Sequence, residues 1–226
     1  MKLSRLNDGP ELFYSLQGEG ASIGVPAVFM RLAGCNLSCA WCDTAYSWDG
    51  SVTPVELATD ELFSLLEKFP CRHLVITGGE PLVQQKFLPE LLDKLDGWYI
   101  EMETNGTIQP DERLAERVNQ FNISPKLVHA KNKKPMNVDT LRFYVSQLPL
   151  KSWFKWVVAS EDDLETIEDI VREVGIEKER VILMPEASTL EALQDRRLPV
   201  AEWAIKHGFR FSDRLHVTLW GSRRGV

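Results

Sequence analysis

Cys35, Cys39 and Cys42 lie in the stretch GCNLSCAWCDT, residues 34 to 44, and the whole chain has four cysteines. Isolated cysteines are commonly small buried hydrophobes, but three in one short loop of a cysteine-poor chain call for another explanation. Structural zinc takes four protein ligands, so Cys71 or a histidine would have to complete the set, and no second C-x2-C is present. A catalytic zinc with three thiolates and a water stays open. An iron–sulfur cluster is the third reading. A 4Fe-4S cluster normally takes four thiolates. With three, one iron keeps an open coordination position where a cofactor can bind.

Other polar residues stand near apolar runs. ITGGEP (76–81) follows one such run; its glycines let backbone approach a ligand, or simply form a turn. NISPK (122–126) follows another, as a proline-terminated strand with a solvated lysine or as a ligand contact. LMPEAS (183–188) could wall the same site. Gln17 and Glu19 sit among glycines in YSLQGEG (14–20). Arg31 lies inside the apolar stretch FMRLAGCN, where a cation is costly unless an anion meets it. That anion is either an internal partner such as Glu19 or Glu101, or a substrate carboxylate held by the guanidinium fork. Cys71 reads as a packed thiol, and His73, His129 and His207 as packed or solvent-facing.

The elements that must position these residues alternate. Apolar, β-branched runs at 27–32, 73–77, 98–103, 121–124, 154–158 and 180–184 read as strands, several without polar alternation, as in a buried parallel sheet. Helical patterns lie between them. Thr53, Pro54 and Glu56 read as the opening of the first. KFLPELLDKL follows, with Pro89 near its first turn. Ser160 with Asp163 opens another. Ser188 with Glu191 opens the last, with Pro199 as a break. The alternation predicts an α/β fold with a mostly parallel sheet, either an open partial barrel or a doubly wound sheet. Both place ligands at the carboxyl ends of the strands.

The 226 residues suffice for a core without disulfides or structural metal. Hydrophobic and charged fractions of 44% and 26% are those of a soluble globular protein. A net charge of −7 argues against general nucleic-acid binding. No secretory leader and no apolar run of membrane-spanning length is visible. These features predict a cytoplasmic protein without direct nucleic-acid or membrane partners, and in that compartment clustered thiols read as metal ligands or redox groups.

The C-x3-C-x2-C loop after the first strand resembles the cluster motif of radical S-adenosylmethionine enzymes. The resemblance implies that Cys35, Cys39 and Cys42 hold a 4Fe-4S cluster. The open iron then chelates the methionine part of the cofactor, and an electron from the cluster releases a 5′-deoxyadenosyl radical. It further implies cofactor contacts from Trp41, Cys42, Asp43, Gly78, Gly79, Glu80, Ser124, Pro125 and Lys126. As a set, SLQGEG, VFMRLAGCNLSCAWCDT, ITGGEP, ETNGT and SPK resemble the 7-carboxy-7-deazaguanine synthase family, over about residues 11 to 187, with a weaker echo in the tail.

That family converts 6-carboxy-5,6,7,8-tetrahydropterin to 7-carboxy-7-deazaguanine by ring contraction with loss of ammonia, on the route to queuosine and other deazapurines. It uses the cluster, S-adenosylmethionine and Mg2+, regenerates the cofactor, and is usually a homodimer with an incomplete barrel. The resemblance therefore implies a partial, modified (βα)6-type TIM barrel as one domain, 1–226, with a C-terminal tail (about 208–226) over the site. It implies Thr44 as the Mg2+ contact, the ion binding mainly with substrate present. Leu16, Gln17, Gly18, Glu19, Arg31 and Thr77 would surround the substrate, with His216 reaching it from an extended tail. The basic run KNKKP (131–135) is a solvated loop or a dock for flavodoxin as reductant. Two other functions stay open at this point: a glycyl-radical activase and a non-catalytic zinc-binding protein.

Overall fold

The structure is a computed structural model that describes residues 1–132 and 136–226. Ten strands form one sheet: β1 (Lys2–Leu3), β2 (Leu12–Leu16), β3 (Pro26–Leu32), β4 (Val55–Glu56), β5 (His73–Gly78), β6 (Tyr99–Thr104), β7 (Gln120–Ile123), β8 (Ser152–Val158), β9 (Val181–Pro185) and β10 (Arg210–Phe211). From β3 through β5 to β10 the strands lie side by side in chain order, all parallel. β1 and β2 pair antiparallel with β3, and β4 antiparallel with β1. The path has two ends, β10 and β4, so the barrel is incomplete.

Helices α1 (Thr59–Leu66), α2 (Leu88–Lys94), α3 (Glu112–Arg117), α4 (Val138–Gln147), α5 (Asp163–Val174) and α6 (Leu190–His207) fill the crossovers, and α7 (Leu215–Trp220) closes the chain. α5 shows why they pack as they do. Leu164, Ile167, Val171 and Val174 recur at helical spacing and are buried, each contributing about 1.5–3 kcal/mol. Asp163 takes N–H bonds from Ala159 (2.8 Å) and Ser160 (3.2 Å), and Gly175 ends the helix in the left-handed region. The main apolar core lies between these helices and outward-facing strand residues such as Val28, Met30, Leu74, Ile76 and Trp156. Among the described residues no helix is long and apolar enough to cross a membrane.

The barrel interior is different. Ala27, Phe29, Val75 and Phe13 make a small apolar plug, with the Phe13 and Phe29 rings stacked at 5.0 Å. Most other interior positions are polar, among them Arg31, Thr77, Glu101, Glu103, Asn122 and Lys155, while Val157 and Met184 add apolar wall to the cavity. Glu101 is fully buried and takes bonds from Gln17 Nε2 (2.7 Å) and Asn122, with the His73 ring at 2.9 Å. Buried charge inside a barrel is expensive unless partnered, so these residues are matched in pairs.

Local signals misplace four features. Thr53, Pro54 and Glu56 do not open α1. Val55–Glu56 pairs with Lys2–Leu3 instead, and the helix starts at Thr59, where Glu61 accepts from the Ala58 N–H at 2.9 Å. Pro199 does not break α6. The helix runs through it because Leu193, Val200 and Ala204 on either side are buried, and packing offsets one missing backbone bond. Its cap is Thr189, one residue beyond Ser188. The tail is extended only at β10; beyond it the segment that carries His216 turns into α7.

Candidate active site

At the carboxyl ends of the strands lies a cavity of about 490 Å³. Its wall includes Cys35, Cys39 and Cys42 from the loop after β3, together with Trp41, Asp43 and Thr44. Thr77, Gly78 and Gly79 at the end of β5 line it, as do Ser124 and Lys126 after β7. Leu16, Gln17, Gly18, Glu19, Arg31 and His216 complete the set read from the sequence. Glu80 and Pro125 do not line it.

Glu80 has another place. It is fully buried and accepts from the Leu82 N–H (3.0 Å), the Thr104 hydroxyl (2.8 Å) and the Asn105 N–H (2.7 Å). Burial pushes its carboxyl up, and these bonds oppose the shift. Asn105 then donates to Asn36 at 2.9 Å, inside the cysteine loop, and Asn36 donates to Thr107 at 2.7 Å. Glu80 therefore ties the loops after β5 and β6 together and, through Asn105, steadies the thiols.

The glycines here leave room for neighbouring protein as well as lining the cavity. A Cβ on Gly79 would stand 2.4 Å from the Gly34 carbonyl oxygen and 2.8 Å from Cys35 Cβ; one on Gly78 would stand 2.3 Å from the Leu32 oxygen. The β5 loop is thus pressed against the cysteine loop. Gly18 makes room in the same way: a Cβ would fall 2.2 Å from His216 Nδ1. The Leu215 N–H bonds to the Gly18 oxygen (2.9 Å) and the Gly20 N–H to the Ser212 hydroxyl (2.8 Å), so the C-terminal segment docks on the LQGEG loop.

A charge network crosses that junction. Lys155 donates to Glu19 Oε2, and Arg214 Nε donates to Glu19 Oε1 at 3.1 Å. Arg214 also donates to Asp43 and to the Ala187 carbonyl. Burial opposes ionisation of Glu19, but Lys155 first and then Arg214 outweigh it and hold the carboxyl well below the usual range. Asp43 is likewise lowered, Arg214 overcoming burial. His216, with Nε2 3.8 Å from Glu19, is shifted down chiefly by burial and is a neutral imidazole at pH 7.

Arg31 has the internal partner that buried charge requires, but it is Glu11, not Glu19 or Glu101. Its Nε donates to Glu11 Oε1 at 3.2 Å. Among the described residues its two terminal nitrogens make no hydrogen bond, and Arg31 lines the cavity, so the guanidinium is available as a fork for an anion. Glu11 also accepts from the Tyr46 hydroxyl (2.9 Å) and from Arg224 (3.3 Å), and residues 221–226 form part of the cavity wall. Thr77 donates to Glu103 at 2.8 Å, and Lys126 stands 5.3 Å over the Trp41 ring.

Sequence reading missed Glu11, Glu103, Lys155 and Arg214. Lys155 carried a signal: it sits in the apolar strand FKWVV, as Arg31 does in its own. Arg214 carried none, since its partners are 195 and 171 residues away in sequence. Cys71 lies against the core and donates to the Pro26 carbonyl at 3.2 Å, apart from the cavity. Of the basic run 131–135, residues 133–135 lie outside the described residues.

The three thiols fit a cluster better than a single ion. No disulfide joins them. Among the described residues no three His, Cys, Asp or Glu side chains converge closely enough to hold one metal ion, as bonds of about 2.3 Å to zinc would require. Each sulfur accepts one N–H: Cys35 from Leu37 (3.4 Å), Cys39 from Asn132 (3.2 Å) and Cys42 from Trp48 (3.3 Å). Burial pushes the Cys35 thiol up to about 11, so bound cations must supply the charge that holds it as thiolate. The Thr44 hydroxyl, 3.7 Å from Cys42 Sγ, is a neutral oxygen at the cavity wall that could serve Mg2+.

An incomplete parallel barrel with three cysteines on the loop after its first parallel strand defines a class. Residues 31–147 match the family model of the radical SAM superfamily. A 7-carboxy-7-deazaguanine synthase of Pyrobaculum aerophilum is 42% identical over 218 residues, 95% of each chain, and one of Halobacterium salinarum is 36% identical over 94% of this chain and 92% of its own. A crystal structure of QueE from Escherichia coli superposes with a TM-score of 0.70 at 26% identity, covering 95% of this chain and 94% of that one. The chain belongs to the 7-carboxy-7-deazaguanine synthase family of that superfamily.

Proposed function

We propose that the chain converts 6-carboxy-5,6,7,8-tetrahydropterin to 7-carboxy-7-deazaguanine, with loss of ammonia, in deazapurine biosynthesis. The observation that carries this is a single cavity, walled in part by the chain's own C-terminal segment, in which three thiols, Arg31, Glu19 and Thr44 stand together. That wall suits a small anionic heterocycle and not the loop of a partner protein, as an activase would need. Cys35, Cys39 and Cys42 would hold the 4Fe-4S cluster; when bound, it and S-adenosylmethionine supply a hydrogen-abstracting radical. Trp41, Ser124 and Lys126 would face S-adenosylmethionine.

The side chains have positioning work. Arg31 offers its open nitrogens to the substrate carboxylate, and Thr44 offers its hydroxyl to Mg2+ shared with that carboxylate. Glu19, ionised and braced by Lys155 and Arg214, keeps lone pairs for the paired N–H edge of the pterin. Gln17, Thr77 and neutral His216 bound the ring, and residues 221–226 keep water from the radical. The same proposal includes a homodimer, cytoplasmic location and a flavodoxin-type acidic reductant meeting the basic run that begins at Lys131. Anaerobic turnover with substrate, S-adenosylmethionine, reductant and Mg2+, read by mass spectrometry, tests it. Product and ammonia in equal amounts support it; an intact cluster with no product refutes it.

A further inference from the structure

Two of the three cluster thiols are met by side chains outside the cysteine motif. Trp48 donates its indole N–H to Cys42 Sγ at 3.3 Å. Asn132 donates from Nδ2 to Cys39 Sγ at 3.2 Å. Both donors are held in place. Trp48 follows a 3-10 turn, Ala45–Ser47, whose end bonds the Gly34 N–H to the Ser47 oxygen at 2.7 Å, and its own N–H bonds to the Ala45 oxygen at 3.0 Å. Asn132 uses its other amide atom, Oδ1, to accept the Ser38 N–H at 2.9 Å, and the Ala40 N–H bonds to the Ala130 oxygen at 3.0 Å. The segment around Asn132 is thereby clipped to the cysteine loop at two points.

An N–H donor withdraws electron density from a thiolate and favours the more negatively charged, reduced cluster; hydrogen bonds to sulfur are among the main determinants of cluster potential. We propose that Trp48 and Asn132 are positioning residues that raise the reduction potential of the cluster held by Cys35, Cys39 and Cys42. This rests on the reading of the three thiols as cluster ligands. Neither donor needs to touch substrate. Their effect is on how readily the electron that starts each turnover enters the cluster.

The test is an EPR-monitored redox titration of anaerobically reconstituted protein, with iron and sulfide content measured in parallel. Trp48→Phe keeps the ring and deletes one donor; Asn132→Ala deletes the other. Each variant should show a lower midpoint potential with the cluster content of the unaltered chain. A tenfold fall in the reduced-to-oxidised ratio at fixed potential corresponds to about 59 mV for one electron. The double variant should fall further than either. Should Asn132→Ala not retain its cluster, Trp48→Phe decides alone. An unchanged midpoint, or cluster loss already in Trp48→Phe, overturns the inference and leaves the proposed reaction standing. Failure of the unaltered chain to assemble a cluster would overturn both.

Discussion

Replacing Lys155 by Met tests the account of the charged junction. Lys155 and Glu19 form a pair whose side chains are 7% and 13% exposed. Removing one member of a buried pair costs about 3–5 kcal/mol. Arg214 still faces Glu19 Oε1 at 3.1 Å, so the low end applies, about 3 kcal/mol. For a chain of this length that is a fall in Tm of about 6–12 °C. The sign with pH follows from the two shifts. The folded pKa of Glu19 lies below its ordinary value of 4.5, so its contribution is whole above that value and is lost as pH falls through the depressed one. The folded pKa of Lys155 lies above 10.5, so its contribution is whole below that value and is lost as pH rises through the raised one. The stability gap should therefore be flat near neutrality and shrink well below pH 4.5. Urea unfolding of both proteins over that range measures it. Adding Glu19→Gln should recover part of the loss, because no buried carboxylate is then left short of a partner. A gap under about 1 kcal/mol at pH 7, the size of a surface pair, would refute the reasoning. So would a gap that persists unchanged in acid.

Two further outcomes follow from geometry. Gly79→Ala forces a Cβ to within 2.4 Å of the Gly34 oxygen, so the cysteine loop must shift; iron bound after reconstitution should fall severalfold while far-UV circular dichroism stays native, and full iron content would contradict this. Deleting residues 222–226 removes Arg224, which bonds the Arg5 oxygen at 2.8 Å and lies 3.6 Å over the Tyr46 ring; KM for substrate should rise about tenfold, the effect of losing roughly 1.4 kcal/mol, with kcat less affected, and unchanged kinetics would remove the segment from the site.

The parallel strands and the thiol loop were legible because their signals are local: β-branched runs, and cysteines spaced within one turn of chain. Arg31 was legible by the cost of a cation in an apolar strand, and Lys155 obeys the same rule, although only the first was read. The two-residue strands β1 and β4 were not legible, since each exists only through a partner far along the chain; β2 pairs with the next strand, β3, and its run LFYSL was not read as a strand. The same holds for Glu11 as the partner of Arg31. Gly18, Gly78 and Gly79 show a subtler limit. Sequence marks Gly78 and Gly79 as close approaches and Gly18 only as a neighbour of the substrate, but only the fold reveals that the neighbours are His216, Leu32 and Gly34. Pro199 failed as a break because burial on both sides of it outweighs one lost hydrogen bond. Glu80 reads as a ligand from its motif, whereas its buried bonds make it the tie between three loops.

A cavity that turns over a pterin by a radical returned to its cofactor uses that cofactor as a catalyst and does not consume it. Incubating anaerobically reconstituted protein with excess 6-carboxytetrahydropterin, Mg2+, reductant and a limiting amount of S-adenosylmethionine measures this. 7-Carboxy-7-deazaguanine should form in many-fold excess over the S-adenosylmethionine supplied. One 5′-deoxyadenosine released per product, or no product from a cluster-loaded protein, would contradict it.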